Sequence, residues 1–272
     1  MGQELLEVKN LSVSFRMYQG ALKHTLVTGM HGVNLRLTTG EILAVVGASG
    51  SGKSLLAHAV LGILPYNAVT SGEMLYRGTA LDAARQEELR GRELALIPQS
   101  VTYLDPLMRV GEEVCGLHGS PVDMAATFRR LHLEEKVQRL YPFQLSGGMA
   151  RRVLFSTAVI TDAALIIADE PTPGMDVKSA VEALQLLREL ADAGKSILLI
   201  THDIDLAVEV ADTVAVFYEG RTVDQIPAAA FRGDGSELQH PYTKALYHAL
   251  PQNSFKVYSA QEVRQMTEAG GA

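Results

Sequence analysis

An octapeptide at residues 47–54 has the residue types and spacing of a phosphate-binding loop. It reads GASGSGKS and matches the pattern G-x-x-x-x-G-K-[ST]. Its glycines let successive backbone N–H groups turn towards an anion, because no Cβ stands in the way. We expect Lys53 to contact the β- and γ-phosphates of a nucleotide, and the hydroxyl of Ser54 to bind Mg²⁺. The candidate nucleotide ligands in this loop are Gly47, Ala48, Ser49, Gly50, Ser51, Gly52, Lys53 and Ser54.

Two adjacent acids could complete the chemistry of such a site. Asp169 and Glu170 directly follow the apolar run Leu165–Ala168, which predicts a buried strand. We expect Asp169 to hold Mg²⁺, directly or through water, and Glu170 to act as general base on the attacking water. The alternative is a solvated acidic turn, which is uncommon immediately after buried apolar residues.

A second glycine-containing turn could also bind an anion. Ser146, Gly147 and Gly148 precede a predicted helix over residues 150–160. Such a turn leaves free N–H groups at a helix N-terminus. By itself a Ser-Gly-Gly turn is more often an ordinary loop.

The elements that must position these residues alternate between apolar strands and helices. Buried strands are predicted within residues 42–46, 92–97, 164–168 and 196–200. One intervening helix has Asp176 as its expected N-cap and Gly194 as its expected C-cap. Continuous apolar strands separated by helices indicate a largely parallel sheet covered on both faces. Ligands bind such sheets at the carboxyl ends of the strands, where each of these polar clusters lies.

Composition limits the remaining possibilities. The chain has 272 residues, of which 47% are hydrophobic and 20% charged, and its net charge is −7. That charge disfavours broad binding of nucleic acid. The single cysteine, Cys115, excludes an intrachain disulfide and a cysteine-based metal cluster. No apolar run approaches the ~18 residues of a membrane span, and no signal peptide is expected at the N-terminus.

Several motifs in a fixed order resemble the nucleotide-binding subunits of ABC transporters. The resemblance covers about residues 5–250, and the combination is far more specific than any one motif. It is carried by GASGSGKS at 47–54, Gln99 after a strand, LSGGM at 145–149, LIIADE at 165–170, Asp176, and His202 after a strand.

The resemblance implies a role for each matching position. Gln99 would reach Mg²⁺ and sense the membrane subunits, and His202 would contact the γ-phosphate and Glu170. Asp176 would communicate across a dimer. Phe15 is the candidate for stacking on adenine, with Tyr18 as a rival and simple packing in the β layer as another reading. Ser146, Gly147 and Gly148 would contact the γ-phosphate bound by the opposite subunit. The expected catalytic residues are Glu170, His202 and Lys53, and the expected metal ligands are Ser54, Gln99 and Asp169.

The implied fold is α/β. It has a phosphate-loop NTPase core with a mainly parallel sheet, an N-terminal antiparallel β subdomain and an inserted α-helical subdomain. We expect one ATPase domain over residues 1–250, with a β-rich layer at about 5–46 and 72–80. The helical subdomain is expected at about 100–160, and a C-terminal extension at 225–272.

The implied function is ATP hydrolysis that drives an ABC importer. The implied partners are a second ATPase subunit that is a different but homologous chain, two membrane-spanning permease subunits and an extracytoplasmic binding protein. This chain would be peripheral on the cytoplasmic face of the plasma (inner) membrane. The tail HPYTKAL at 240–246 resembles the oligopeptide, dipeptide and nickel import group. LGILP at 61–65 and YPF at 141–143 favour nickel or a metal chelate, with peptides as the alternative.

Rivals from other classes remain open at this point. One is a soluble ABC ATPase that acts on nucleic acid or ribosomes. Another is a regulatory nucleotide-binding partner that hydrolyses slowly. The Pro173-Gly174 pair before Asp176 differs from the small polar residues that are usual at this position, which leaves the regulatory hypothesis open. A small-molecule kinase is disfavoured by LSGGM and His202.

Overall fold

Two β-sheets and the helices around them form the fold. The computed structural model describes residues 2–19, 23–116, 119–254, 256 and 258–269. The strands are β1 Glu4–Gln19, β2 Lys23–Thr38, β3 Ile42–Gly47, β4 Ala68–Tyr76, β5 Thr79–Ala80, β6 Leu94–Ile97, β7 Leu165–Asp169, β8 Ser196–Thr201, β9 Thr213–Tyr218 and β10 Arg221–Pro227. The helices are α1 Lys53–Leu61, α2 Ala83–Leu89, α3 Val110–Cys115, α4 Pro121–Arg130, α5 Gly147–Val159, α6 Val177–Asp192, α7 Ile204–Val210, α8 Pro241–Ala249 and α9 Ala260–Ala269.

The larger sheet is mainly parallel, as predicted. Its strand order is β10-β9-β3-β8-β7-β6, and only the β9–β10 hairpin is antiparallel. Alternate residues of β3 face two different hydrophobic cores: Ala44 and Val46 face one, whereas Leu43 and Val45 face the other. All four are fully buried. Burial on both faces is why the strand is a continuous apolar run.

The smaller sheet is antiparallel, with strand order β2-β1-β4-β5. The expected β-rich layer at 5–46 therefore divides between the two sheets, because β3 belongs to the parallel one. Strand β4 begins at Ala68, earlier than predicted, and its register with β1 shifts between Lys9 and Ser12. Gly72 lies at this irregularity with φ +98°, and a Cβ there would meet the carbonyl oxygen of Asn10 at 2.4 Å. The close approach of the two backbones requires glycine.

Helices α3, α4 and α5 lie between β6 and β7. Helix α4 begins with Ser120 as N-cap and Pro121 in its first turn. It ends at Arg130, and His132 has φ +52°, which no right-handed helix accommodates. Leu133 and Val137 are buried, but they follow the helix end and Val137 lies in a 3-10 turn.

The C-terminal part follows the β9–β10 hairpin with α8 and α9. Within the expected extension at 225–272, residues 255, 257 and 270–272 lie outside the described residues. The bounds of the domain and its extension stay predictions. Across the described ranges, every helix is too short or too polar to cross a membrane.

Candidate active site

The loop at 47–54 joins β3 to α1 with its backbone held in unusual conformations. Gly52 is the N-cap of α1, has φ +95° and has no side chain with which to cap the first turn. The N–H groups of that turn are therefore available to an anion. A Cβ on Gly47 would lie 2.3 Å from the carbonyl oxygen of Phe217, so only glycine fits between β3 and β9.

Lys53 extends back into the loop. Its side chain is buried, and its Nζ donates to the carbonyl oxygens of Gly47 and Ala48, both at 2.9 Å. Burial lowers the pKa of Lys53, against the opposing effect of Glu170 and Asp169. An ammonium group has three donors. Two are used here, which leaves one N–H for a phosphate oxygen.

Ser54 and Asp169 are brought into direct contact. The hydroxyl of Ser54 donates to Oδ1 of Asp169 at 2.9 Å, although the two residues are 115 positions apart in the chain. Asp169 is 3% exposed. Burial raises its pKa, and the hydrogen bond from Ser54 partly opposes that shift. One hydroxyl and one carboxylate are hard oxygen donors of the kind that Mg²⁺ uses together with phosphate oxygens.

Glu170 and His202 form the second contact of the site. Nδ1 of His202 lies 2.7 Å from Oε2 of Glu170. Glu170 is buried, whereas the His202 side chain is 55% exposed. The backbone of Glu170 is in the left-handed region at φ +45°, and its N–H donates to the carbonyl oxygen of Ile200 at 2.8 Å. A left-handed glutamate before a proline is strained, and such strain is found most often at functional sites.

The sheet topology explains why these groups meet. Strand β8 lies between β3 and β7, and it pairs Val46 with Thr201 and Asp169 with Ile200. The phosphate loop, His202 and the two acids therefore follow three neighbouring strands at one edge. The proximity of these groups depends on the strand order, so it cannot be predicted from any single stretch of sequence.

Gln99 lies at the same edge, two residues beyond the end of β6, which pairs with β7. Its side chain is exposed, but its carbonyl oxygen accepts a hydrogen bond from Arg151 of α5. Arg151 is 8% exposed and also donates to the carbonyl oxygen of Pro98 at 3.2 Å. Burial lowers the pKa of this guanidinium. Arg151 thus connects α5 to the segment that contains Gln99. This role was not predicted from the sequence, although an arginine among apolar helix residues could have suggested it.

Ser146, Gly147 and Gly148 form the start of α5. The hydroxyl of Ser146 accepts from the N–H of Met149 at 3.3 Å, as an N-cap does. Ser146 and Gly147 are exposed. Among the described residues, no hydrogen bond or ion pair joins these three to the loop at 47–54, Asp169, Glu170 or His202. That arrangement is compatible with a role in the site of another subunit.

Asp176 caps α6, as predicted. Its Oδ1 accepts from the N–H of Ser179 at 3.0 Å, and its Oδ2 accepts from the Ser179 hydroxyl at 2.7 Å. These bonds lower the pKa of Asp176. Helix α6 ends at Asp192 with Ala193 as C-cap, one residue before the expected Gly194, whose φ is +99°. A role of Asp176 across a dimer stays a prediction.

The two candidates for adenine stacking differ in burial. Phe15 is partly buried against the core beneath the antiparallel sheet, close to Gly29 and Leu55. Tyr18 lies further along β1 and is 75% exposed. Neither geometry tests the stacking role.

Tyr242 is a second residue that the sequence analysis missed. Its hydroxyl accepts a hydrogen bond from the N–H of Ala48 at 3.0 Å, although it lies on α8 in the C-terminal part of the chain. In the sequence it served only as part of the HPYTKAL resemblance. A contact between residues that are 194 positions apart produces no local pattern in a single sequence.

A cavity lies outside the phosphate-loop region. It measures about 530 Å³ and is bordered by α2, α3 and α5, with Glu113 and Cys115 in its lining. None of the expected site residues lines it.

The comparisons with known proteins agree with this geometry. Residues 30–173 match the family model described as ABC transporter. The oligopeptide transport ATP-binding protein OppD of Bacillus subtilis (strain 168) is 36% identical over 269 residues, covering 91% of this chain and 72% of that protein. The dipeptide transport ATP-binding protein DppD of Lactococcus lactis subsp. cremoris (strain MG1363) is 35% identical over 271 residues, covering 92% and 74%.

Solved structures confirm the fold class. The dimeric ATP-binding cassette MJ0796 bound to ADP and Pi aligns with a TM-score of 0.72 and 24% identity, covering 82% of this chain and 99% of that one. The protein described as the ATP-binding subunit of an ABC transporter aligns with a TM-score of 0.68 and 26% identity, covering 84% and 92%. The predicted α/β cassette with its antiparallel subdomain is therefore confirmed.

Proposed function

Since the chain belongs to the ABC transporter family, and is an importer ATPase consistent with the oligopeptide, dipeptide and nickel group, we propose that it drives the uptake of di- or oligopeptides. The names of the relatives support peptides. The sequence alone favoured nickel or a metal chelate, and the relatives support the alternative better than that reading. The two short resemblances at 61–65 and 141–143 keep nickel as the second candidate.

The proposed mechanism places ATP between two subunits. The loop at 47–54 of one subunit would bind the phosphates through its N–H groups and Lys53, and the LSGGM turn of the other would close over the γ-phosphate. Mg²⁺, held by Ser54, Asp169 and the side chain of Gln99, would supply positive charge to the phosphate oxygens. Because phosphoryl transfer has little covalent chemistry for the protein to perform, positioning and electrostatics carry the catalysis.

Glu170 and His202 would act on the water and the γ-phosphate. The carboxylate of Glu170 accepts from His202 and would orient or deprotonate the attacking water. His202, at the exposed rim of this pair, would hold the γ-phosphate. The observation that carries the proposal is the convergence of Ser54 on Asp169 and of His202 on Glu170 beside the phosphate loop.

The proposed partners are those of an importer. They are a second ATPase subunit, two membrane-spanning permease subunits and an extracytoplasmic binding protein, with this chain peripheral at the cytoplasmic face of the membrane. Gln99 and the helices between β6 and β7 would transmit opening and closure to the permeases.

Uptake in cells that lack this chain tests the proposed cargo. We expect uptake of a labelled dipeptide to be lost, and labelled nickel to enter at the normal rate. The wild-type chain should restore dipeptide uptake, whereas Glu170→Gln should not, because it keeps the shape of the site but removes the base. Loss of nickel uptake with intact peptide uptake would reject the peptide proposal.

A further inference from the structure

The start of helix α8 is built so that one tyrosine has a fixed orientation. Nδ1 of His240 accepts from the N–H of Tyr242 at 3.1 Å and caps the helix, and Pro241 occupies its first turn. Thr243 is fully buried, and its hydroxyl donates to Asp224 of β10. His240 thus caps the helix start, and Thr243 attaches it to the sheet.

The ring of Tyr242 packs beside the strand that adjoins the phosphate loop. It is 8% exposed and lies against the ring of Tyr218, with centroids 4.4 Å apart and planes inclined by 32°. Tyr218 ends β9, where Gly47 pairs with the preceding residue, Phe217. This packing directs the Tyr242 hydroxyl to the N–H of Ala48.

The peptide unit between Gly47 and Ala48 is therefore held at both of its polar atoms. Its carbonyl oxygen accepts from Nζ of Lys53 at 2.9 Å, and its N–H donates to Tyr242 at 3.0 Å. A peptide unit is planar, so two fixed polar atoms on opposite sides fix its orientation. The next carbonyl, that of Ala48, is the second acceptor of Lys53. The hydrogen bond between Ala48 and Tyr242 therefore helps to position the carbonyl groups that bind the ammonium group of Lys53.

We propose that Tyr242 is a positioning residue of the nucleotide site, whose hydroxyl holds the first peptide of the phosphate loop and, through it, the Lys53 ammonium. This rests on the proposed role of residues 47–54 in binding the phosphates. The C-terminal helix α8 becomes part of the nucleotide site without touching the nucleotide. Burial raises the pKa of Tyr242, so its hydroxyl keeps its proton at neutral pH.

A tyrosine on the same helix provides a matched control. Tyr247 is also 8% exposed, and its hydroxyl donates to the carbonyl oxygen of Gly233 at 2.8 Å, outside the phosphate loop. Tyr242→Phe and Tyr247→Phe each remove one hydroxyl from α8 and keep the ring. An effect seen in Tyr242→Phe but not in Tyr247→Phe would therefore arise from the phosphate loop and not from a general change in α8.

The test measures ADP affinity by calorimetry, melting temperature, and hydrogen exchange of the Ala48 amide in the full chain. We expect Tyr242→Phe to weaken ADP binding about 3- to 10-fold, the range of one lost hydrogen bond, and to speed exchange at Ala48. Tyr247→Phe should change the affinity less than about twofold and leave that amide unaffected.

Two results would overturn the inference. One is unchanged ADP affinity in Tyr242→Phe while the wild-type chain binds ADP. The other is an equal loss of affinity and of melting temperature in both variants, which would indicate general loosening of α8. A wild-type chain that fails to bind ADP at all would instead remove the proposed nucleotide site, and this inference with it.

Discussion

At the scale of single residues, the candidate site contains a carboxylic acid in a buried position. Asp169 is 3% exposed and accepts a hydrogen bond from the hydroxyl of Ser54. Burial raises its pKa, so its ionised form is disfavoured in the folded chain relative to the unfolded one. A metal ion bound beside it would offset this cost, which is the usual exchange of stability for function.

We expect Asp169→Asn to separate stability from activity. The folded-state pKa is raised, so the unfolded state releases this proton first and stability falls as pH rises between the two pKa values. At pH 7 the nucleotide-free variant should therefore melt at the same or a higher temperature than the wild type, and its advantage should shrink as the pH falls towards about 4. Its Mg²⁺-dependent ATPase rate should fall at least about 100-fold.

Thermal melts across this pH range, with hydrolysis assays at pH 7, check that expectation. A variant that melts well below the wild type at pH 7 would show that the carboxylate contributes to the fold. A near-normal hydrolysis rate would remove Asp169 from the metal-binding role.

At the scale of elements, a single buried arginine connects α5 to the end of β6. Arg151 donates to the carbonyl oxygens of Pro98 and Gln99, whereas its neighbour Arg152 donates to those of Leu131 and His132. One helix thus supports two different segments through adjacent residues. A movement of α5 would therefore displace Gln99 through its hydrogen bond to Arg151.

We expect Arg151→Met to loosen the Gln99 segment specifically. The change leaves two carbonyl oxygens without their donor, which costs about 1–3 kcal/mol in the free energy of unfolding. Hydrogen exchange should accelerate in residues 97–104. The matched variant Arg152→Met should accelerate exchange at residues 131–133 instead. Urea unfolding and exchange by mass spectrometry measure both effects, and exchange at 97–104 that is equal in the two variants would contradict the connection.

At the scale of the whole molecule, the phosphate-loop residues and the LSGGM turn form two separate groups of exposed or functional candidates. The phosphate loop, Asp169, Glu170 and His202 meet at one edge of the sheet. The LSGGM turn is exposed at the start of α5 and forms none of the described polar contacts with that group. If each group meets the complementary group of a second subunit, hydrolysis must require assembly, whereas ATP binding need not.

Substitutions at Ser146 test this division with the helix cap preserved. Asp and Asn cap helices about as well as Ser, so neither Ser146→Asp nor Ser146→Asn should unfold α5. The aspartate alone would place a negative charge against the partner's γ-phosphate. We expect it to lower the ATPase rate of the assembled complex at least about tenfold below the asparagine variant. ATP affinity of the single chain should be the same for both. Equal rates in the two variants would count against a shared site.

The candidate site could be predicted from the sequence to the extent that its chemistry is local. The phosphate loop needs glycines, a lysine and a hydroxyl at fixed spacing, and Asp169 and Glu170 stand out because they end an apolar run. The parallel core strands were predicted because strands buried on both faces must be continuously apolar. The helix starts at Ser146 and Asp176 were recognisable because capping depends on a few adjacent residues.

Tertiary structure alone decided which distant residues meet. The bonds from Ser54 to Asp169, from Arg151 to the Gln99 segment, and from Ala48 to Tyr242 depend on strand order and helix docking, which no local spacing encodes. The end of α4 also depends on more than the local apolar pattern. Buried Leu133 and Val137 satisfy a helical pattern, but the left-handed His132 between α4 and these residues redirects the chain. Sequence determined which groups are available for chemistry, and the packing of the sheet determined which of them act together.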